Sequence, residues 1–288
     1  MNYCELGKTG EQISEVGMGT WKYGAGVEPL LAGIDCGATL IDTAEYYGNE
    51  ELVGRAIRGM RSDVFLATKV SPQHFKFRDV VQAAERSLQK LKTDFIDLYQ
   101  LHWPNTTVPI RETMAAMETL ADAGKIRFIG VSNFTLPELK RARRYLTRHR
   151  IVSNQMRYSL VDRSIEVNLL RYCQQNDITL IAYSPLARDL KHVRRCDPNG
   201  VLPTLAVSTG KTEAQLALNW CLRQDNVVVI PKASTPDRIK ENCAASGWQL
   251  GDKELEDLTS RISYRQIGRL ESFARRVGRR VFQRMGRI

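Results

Sequence analysis

The sequence is poor in the residues that build metal sites and disulfide scaffolds. Its 288 residues include four histidines and six cysteines, and the cysteines are scattered along the chain. No CxxC pair occurs, and no two cysteines stand at a spacing typical of metal ligands. The sequence therefore gives no indication of a metal site. We expect the cysteines to be reduced thiols, as in a cytoplasmic protein.

Long apolar segments are also lacking. No uninterrupted run approaches the roughly 20 apolar residues that a membrane-spanning helix needs. Residues 1–5 do not show the basic and then apolar profile of a signal peptide. Apolar residues still make up 43% of the chain and charged residues 26%, which is the balance of a globular protein. A chain of this length can bury a large core.

Negative charge is scarce at one end of the chain. Residues 265–288 contain eight arginines and one acid, Glu271, and so carry +7 of the net charge of +10. The first 264 residues carry the remaining +3. A basic field over the whole protein would suggest a nucleic-acid partner. Because the larger part is nearly balanced, we expect none.

The chain alternates between short apolar runs and helical patterns. Residues 1–6 and 12–18 form a predicted hairpin. The predicted strands are 15–19, 39–42, 64–69, 95–101, 126–131, 151–154, 178–182 and 227–230. The predicted helices are 29–36, 50–58, 78–91, 110–123, 136–146, 165–176, 212–223 and 236–245. Eight such units predict a parallel sheet closed into a (β/α)8 TIM barrel.

Two further features of the sequence bear on this prediction. A doubly wound open sheet would carry a glycine-rich dinucleotide fingerprint after its first strand, but Gly17-Met18-Gly19 lacks the third glycine. The open sheet is therefore the weaker alternative. A long loop is expected over residues 184–203, where the rhythm of strands and helices breaks.

Polar residues stand at, or just past, the ends of the early strands. They are Asp42, Tyr47, Lys69 and His102. Because the strand C-termini of such a barrel form the active site, these side chains are expected to meet. The aspartate would keep the lysine charged, the lysine would lower the pKa of the tyrosine, and a neutral histidine would donate to a substrate oxygen. The set fits carbonyl reduction with Tyr47 as general acid.

Eight short motifs, in order along the chain, strengthen this interpretation. They are GTW at 19–21, IDTAEYYG at 41–48, ATK at 67–69, LHW at 101–103, GVSNF at 130–134, NQ at 154–155, AYSPL at 182–186 and IPK at 230–232. In these motifs the chain resembles the aldo-keto reductase family from about residue 3 to 262. The resemblance implies NADPH-dependent reduction of aldehydes or ketones to alcohols.

The resemblance also assigns residues to the site. It matches Asp42, Tyr47, Lys69 and His102 to the family's catalytic tetrad. It implies an NADPH site formed by Gly19, Thr20, Trp21, Asp42, Ser132, Asn133, Gln155, Tyr183, Ser184, Leu186, Lys232, Arg238 and Asn242. The predicted substrate pocket for a small carbonyl compound consists of Trp21, Tyr47, His102 and Trp103.

Within the implied cofactor site, different residues take different parts of NADPH. The residues that would hold the nicotinamide carboxamide are Ser132, Asn133 and Gln155. Tyr183 would stack on the nicotinamide ring, Lys232 and Arg238 would bind the adenosine 2′-phosphate, and Asn242 would contact the adenine. Two cations suit a phosphate dianion. Ala233 replaces a serine that is common in the family, which weakens the preference for NADPH over NADH.

Two basic segments lie outside this set. In the loop, Arg188, Lys191, Arg194 and Arg195 either form a solvated basic loop or belong to a flap over the cofactor pyrophosphate, and we favour the flap. Residues 266–285 place an apolar stripe against arginines, the pattern of a basic amphipathic helix. This tail would dock on the barrel or a second subunit, lie on an anionic membrane surface, or meet nucleic acid as a disordered arm.

We therefore predict two segments: a barrel formed by residues 1–264 and a basic tail, 265–288. The enzyme would be a monomer or a small homo-oligomer in the cytoplasm, with peripheral membrane association as an alternative. The rival function is an NADPH-binding barrel that serves as a regulatory or interaction subunit, docked through its basic tail.

Overall fold

The strands close into a parallel barrel with a hairpin before it. The computed structural model describes residues 1–264. In these residues the hairpin is antiparallel and consists of β1 (Tyr3–Glu5) and β2 (Gln12–Ser14). The barrel strands are β3 (Met18–Gly19), β4 (Leu40–Asp42), β5 (Phe65–Val70), β6 (Ile96–Leu101), β7 (Ile126–Ser132), β8 (Ile151–Arg157), β9 (Thr179–Tyr183) and β10 (Val227–Ile230).

The barrel strands pair in chain order, each parallel to the next. A parallel bridge between Val16 and Val229 joins the last strand to the segment before the first. The backbone N–H of Gly19 donates to the carbonyl of Pro231 over 3.1 Å, which extends this seam. The predicted closed eight-stranded barrel is thereby confirmed, and the open sheet is excluded.

Helices cover the outside of the barrel. In the part of the chain that the structure describes they are α1 (Glu28–Asp35), α2 (Glu50–Ala56), α3 (Phe77–Leu91), α4 (Ile110–Asp122), α5 (Leu136–Arg143), α6 (Leu169–Gln175), α7 (Leu190–Arg195), α8 (Val201–Thr209), α9 (Glu213–Leu222), α10 (Pro236–Cys243) and α11 (Asp252–Arg261). The helix predicted over 165–176 begins later, at Leu169. Helix α11 was not predicted.

The long loop expected over residues 184–203 is wrong for part of its length, because it contains α7 and the start of α8. The Asp189 carboxylate accepts the backbone N–H of Lys191, and the Asp197 carboxylate accepts those of Val201 and Leu202 over 2.9 and 2.8 Å. Such caps satisfy donors that a helix start leaves unpaired. A helix of six residues carries too little periodicity to reveal itself in sequence.

Side chains along the strands alternate between two apolar clusters, one inside the barrel and one between the barrel and the helices. Leu40, Phe65, Ala67 and Leu98 belong to a cluster inside the barrel, which Leu6 of the hairpin region also joins. The residues at the alternate positions of the same strands face outward and pack against the helices. Each fully buried large apolar side chain stabilises the fold by about 1.5–3 kcal/mol. The apolar interior ends where the polar strand ends begin, so the site lies at the C-terminal mouth of the barrel.

The predicted tail helix and the division at residue 265 concern residues 265–288, which lie outside the described residues. Between residues 1 and 264, no helix has both the length and the apolar character needed to cross a membrane.

Candidate active site

The four predicted catalytic residues meet at one end of the barrel. Asp42 ends β4, Lys69 lies near the end of β5, and His102 directly follows β6. Asp42 and Lys69 occupy interior positions two residues after Leu40 and Ala67, which face the barrel core. Tyr47 arrives differently, on the short 3-10 turn Glu45–Tyr47 that follows β4.

Lys69 is at the centre of this group. Its ammonium nitrogen donates to Asp42 Oδ1 over 2.5 Å and to the carbonyl of Thr43 over 2.8 Å, and it lies 3.4 Å from Tyr47 Oη. The Lys69 side chain is fully buried, so its charge needs a partner. Burial lowers the pKa of Lys69, and the attraction of Asp42 opposes that shift.

Tyr47 is held in its protonated form. Burial and the carboxylate of Asp42 raise the pKa of Tyr47 well above its usual value. The net direction is opposite to the one expected from the Lys69 ammonium, because burial of the phenol and the Asp42 carboxylate both raise the pKa of Tyr47. The phenol keeps its proton at neutral pH, and a raised pKa makes it a weaker proton donor unless the phenolate is stabilised.

His102 is neutral at physiological pH. Burial and the charge of Lys69 lower the pKa of His102 to about 3. The imidazole lies edge-on to the Tyr47 ring, with 5.5 Å between ring centroids. A neutral imidazole carries one N–H donor and one acceptor nitrogen. The histidine in the structure thus has the neutral form that donation to a substrate oxygen requires.

Asn49, which the sequence analysis did not single out, links the segments that directly follow β3 and β4. Its amide nitrogen donates to the carbonyl of Thr20 over 2.7 Å, and its amide oxygen accepts from the Thr43 hydroxyl over 2.8 Å. Since the carbonyl of Thr43 also accepts from Lys69, Asn49 helps hold the lysine in place through Thr43.

Glu45 connects the tyrosine turn to the segment after β5. Its carboxylate accepts the backbone N–H of Ser71, and it lies 3.0 Å from His74 Nδ1. It holds the turn against the strand that carries Lys69.

Gln100 is a second residue that the sequence analysis missed. It is fully buried on β6 and donates to Asp42 Oδ2 over 3.2 Å. Gln155 on β8 donates to the same oxygen over 2.7 Å. The signal was present, because Gln100 is a polar residue two positions before His102 in an apolar strand and therefore faces the same side.

The predicted substrate-pocket residues form an aromatic mouth around the tetrad. The Trp21 ring lies 5.0 Å from the Tyr47 ring, and the His102 and Trp103 rings stack at 6.4 Å. Tyr46 adds to this wall, since it stacks on Trp21 at 5.9 Å. Trp21 and Tyr46 remain 46% and 57% exposed, so the wall opens to solvent.

The residues implied for the nicotinamide carboxamide lie beside the tetrad and contact one another. Asn133 donates to Ser132 Oγ over 2.9 Å and to the carbonyl of His102 over 3.1 Å. The Tyr183 hydroxyl donates to Asn133 Oδ1 over 2.9 Å. Asn133 has a φ of +62°, a conformation that asparagine tolerates better than most residues. Ser184 and Leu186 follow Tyr183 and are partly buried.

The first strand end approaches the last one closely. A Cβ atom on Gly19 would lie 2.7 Å from the carbonyl oxygen of Ile230, so a larger residue would separate the strands. The Thr20 hydroxyl donates to the carbonyl of Asp42 over 3.0 Å. Glycine at position 19 therefore keeps the GTW motif against the barrel mouth.

Both residues implied for the 2′-phosphate are exposed cations. Lys232 and Arg238 are exposed, after β10 and on α10, and neither forms an ion pair with any residue between 1 and 264. Lys232 donates to Ser234 Oγ over 3.2 Å, while Ala233 and Asn242 are buried. Two exposed cations without acidic partners among the described residues suit an anionic group such as a phosphate.

The basic segment after Tyr183 is only partly available to an anion. Arg194 pairs with Glu213 on α9 over 2.9 Å. Arg188, Lys191 and Arg195 lie in or beside α7. The predicted flap is thus a short helix whose central arginine is engaged elsewhere. No cluster of histidine, cysteine, aspartate or glutamate suited to a metal ion occurs among residues 1–264.

Comparison with known proteins identifies the family. The sequence model of the aldo/keto reductase family matches residues 15–262. Methylglyoxal reductase YeaE of Escherichia coli is 39% identical over 253 residues, covering 84% of this chain and 89% of that protein. Aldo-keto reductase YhdN of Bacillus subtilis is 34% identical, covering 90% of this chain and 93% of that protein.

Solved structures agree with this likeness. An aldo-keto reductase of Klebsiella pneumoniae in complex with NADP and acetate is 37% identical, with a TM-score of 0.80, and the match covers 88% of this chain and 96% of that one. A thermostable aldo-keto reductase in complex with the inhibitor epalrestat is 41% identical, with a TM-score of 0.84, covering 90% and 99%. The chain therefore belongs to the aldo/keto reductase family of NADP-dependent carbonyl oxidoreductases.

Proposed function

We propose that this protein reduces small aldehydes and ketones to alcohols with NADPH, and that Tyr47 is the general acid. The observation that carries this proposal is the position of Lys69. Its buried ammonium lies between the carboxylate of Asp42 and the phenol of Tyr47, at 2.5 and 3.4 Å. A buried ammonium in this position is placed to stabilise a phenolate as a proton leaves the phenol.

Each residue of the tetrad has its own role in the proposed reaction. NADPH supplies the hydride. Tyr47 donates its proton to the carbonyl oxygen, on which negative charge develops, and Lys69 stabilises the phenolate that this leaves. Asp42 keeps Lys69 charged despite burial. His102, neutral and beside Tyr47, donates a hydrogen bond to the same oxygen and orients it.

The chain's own residues are suited to hold NADPH. Lys232 and Arg238 would bind the 2′-phosphate, and Tyr183 would support the nicotinamide ring. The residues for the carboxamide would be Ser132, Asn133 and Gln155. Because Gln155 directs its amide nitrogen to Asp42, its amide oxygen is the atom suited to accept from the carboxamide. Ser234 or Thr235 would supply the phosphate hydrogen bond that Ala233 cannot donate.

The substrate is proposed to be a small, polar carbonyl compound. The relative from Escherichia coli is a methylglyoxal reductase, and this chain offers Trp21 and Trp103 as pocket walls beside Tyr47. The aromatic wall leaves the outer end of the pocket open to solvent, and the likeness to this relative favours compact dicarbonyl compounds and short aldehydes.

A panel assay tests this function. Purified protein is incubated with NADPH and methylglyoxal, short aldehydes, aryl aldehydes or simple ketones. NADPH consumption and the alcohol product are then measured together. We expect one alcohol per NADPH consumed, with faster turnover of small aldehydes than of ketones. Absence of carbonyl-dependent NADPH consumption across the panel would contradict the proposal.

The alternative role, as a regulatory or interaction subunit, depends on the basic tail. Its sequence of eight arginines and one acid favours an anionic surface or partner. Deletion of residues 265–288 separates the two roles. If turnover persists while sedimentation with anionic vesicles is lost, the tail directs location; loss of turnover would instead make it part of the enzyme site.

A further inference from the structure

Gln100 is a fully buried polar residue in an otherwise apolar strand. It lies on β6 two residues before His102, so both side chains face the barrel interior. Burying an amide is unfavourable unless its hydrogen bonds are satisfied. Its neighbours below, such as Leu98, belong to the apolar interior. The hydrogen-bond partner of the Gln100 amide must therefore lie on its other side, towards the mouth of the barrel.

This hydrogen-bond partner is the carboxylate of Asp42. Gln100 Nε2 donates to Asp42 Oδ2 over 3.2 Å, and Gln155 Nε2 donates to the same oxygen over 2.7 Å. Gln155 Nε2 also lies 3.5 Å from Gln100 Oε1. The other carboxylate oxygen accepts from Lys69. Asp42 is thus held from three other strands: β5, β6 and β8.

The chemistry of the carboxylate fixes the direction of both amides. An ionised carboxylate only accepts hydrogen bonds, so each amide must present its NH2 group to it. A reversed amide would place oxygen against oxygen. The observed orientation of Gln100 therefore belongs to ionised Asp42, the form that keeps Lys69 charged against the effect of burial.

The neighbouring strand leaves space for this side chain. The register of β6 and β7 places Gly130 opposite Gln100. A Cβ atom at Gly130 would lie 2.8 Å from Gln100 Cγ and 2.6 Å from Ser153 Oγ. Real Cβ atoms do not approach other atoms so closely. Glycine at 130 thus accommodates Gln100 in its hydrogen-bonding position.

We propose that Gln100 is a positioning residue for the reaction: together with Gln155 it orients the carboxylate of Asp42, and through Asp42 it sets the place and charge of Lys69 beside Tyr47. The proposal rests on the reductase function proposed above and adds a residue to it. Gln100 acts through Asp42, so its loss should change turnover more than substrate binding.

Two substitutions test this inference. Gln100→Leu keeps the volume and removes the donor, and we expect kcat to fall about tenfold, a modest change in barrier, with KM for the aldehyde nearly unchanged. Gln100→Glu keeps the shape and makes donation depend on pH. At low pH the introduced carboxyl is protonated and donates to Asp42, so activity stays near that of the wild type.

As the pH rises, the introduced carboxyl ionises and faces the carboxylate of Asp42. Like charges at this distance are unfavourable, so activity of Gln100→Glu should fall through a pH range where wild type and Gln100→Leu show no such decline. Gln100→Leu cannot donate at any pH, so activity of Gln100→Glu at low pH above that of Gln100→Leu is the result that a residue serving only packing would not give. If Gln100→Leu fails to fold, the pH profile of Gln100→Glu is compared with that of the wild type alone, and near-wild-type activity at low pH still supports the proposal.

Tyr99→Phe is the matched control. Tyr99 is the adjacent residue on β6, it is buried, and its hydroxyl has no hydrogen-bond partner among the described residues. We expect wild-type kcat. Tyr47→Phe is assayed in parallel: if it keeps wild-type activity, the proposed function fails. If Tyr47→Phe is inactive while Gln100→Glu follows the wild-type pH profile, the function stands and the role of Gln100 is overturned.

Discussion

The ammonium nitrogen of Lys69 lies 3.4 Å from the phenol oxygen of Tyr47, although the two residues stand on different elements, 22 positions apart. Lys69 comes from β5 and Tyr47 from the turn after β4, and these strands are neighbours in the barrel. The parallel register that places Asp42 beside Ala67 brings acid, cation and phenol together.

Loss of the Lys69 charge should damage both stability and turnover. Lys69→Met leaves the buried carboxylate of Asp42 without its cation, which costs about 3–5 kcal/mol of the free energy of unfolding. We also expect kcat to fall at least about a hundredfold, the usual range for loss of general-acid assistance. Urea unfolding and steady-state kinetics measure the two effects.

The double variant Asp42→Asn/Lys69→Met is the control for this prediction. Both charges are gone, so most of the lost stability should return while activity does not. Recovery of activity together with stability would show that Lys69 serves the fold and not the reaction.

The neutral state of His102 predicts how stability depends on pH. Its pKa is lowered from 6.5 to about 3 in the folded protein. Below pH 6.5 the unfolded chain binds a proton that the folded site refuses, so this contribution to stability is complete above 6.5 and is lost as pH falls towards about 3. The slope reaches about 1.4 kcal/mol per pH unit.

Urea unfolding of wild type and His102→Gln across this range checks the prediction. The variant carries no titrating imidazole at this position, so its free energy of unfolding should fall less steeply with acid. Parallel curves for the two proteins would show that His102 does not carry the effect.

Asn49 should help hold Lys69 in place through its hydrogen bond with Thr43. Asn49→Ala removes its hydrogen bonds to Thr20 and Thr43. The carbonyl of Thr20 still accepts from the backbone N–H of Tyr23, but the buried Thr43 hydroxyl loses its acceptor, which costs about 1–3 kcal/mol of stability. Because Thr43 contacts Lys69, we expect kcat per folded molecule to fall several-fold. Asn176→Ala, which removes hydrogen bonds to Tyr172 and Arg143 away from the site, should lower stability alone. Equal kcat for the two variants would refute the link.

The exposed cations should select NADPH. Charge-assisted hydrogen bonds contribute about 1.5–3 kcal/mol, so Lys232→Ala or Arg238→Ala should raise KM for NADPH by about tenfold or more. KM for NADH, which lacks the 2′-phosphate, should change little. Lys240→Ala, an exposed lysine on the same helix α10, is the control. Equal effects on both nucleotides would place the phosphate elsewhere.

The barrel and the four central residues could be predicted because they follow from strand alternation and from polar residues at strand ends. Gln100 obeys the same alternation and was missed because only strand ends were considered. Helices α7 and α8 were missed because Asp189 and Asp197 define them by capping, not by periodicity. The direction of the Tyr47 pKa depends on burial depth, which no sequence pattern reveals.

The most direct test of the account compares wild type with Tyr47→Phe at saturating NADPH and a good aldehyde substrate. NADPH affinity is measured separately by fluorescence titration. Removal of one hydroxyl leaves the aromatic mouth and the cofactor residues in place, so the account predicts unchanged affinity and a fall in kcat of about a hundredfold or more. A kcat within a few-fold of wild type at full NADPH occupancy would contradict the assignment of Tyr47 as the proton donor.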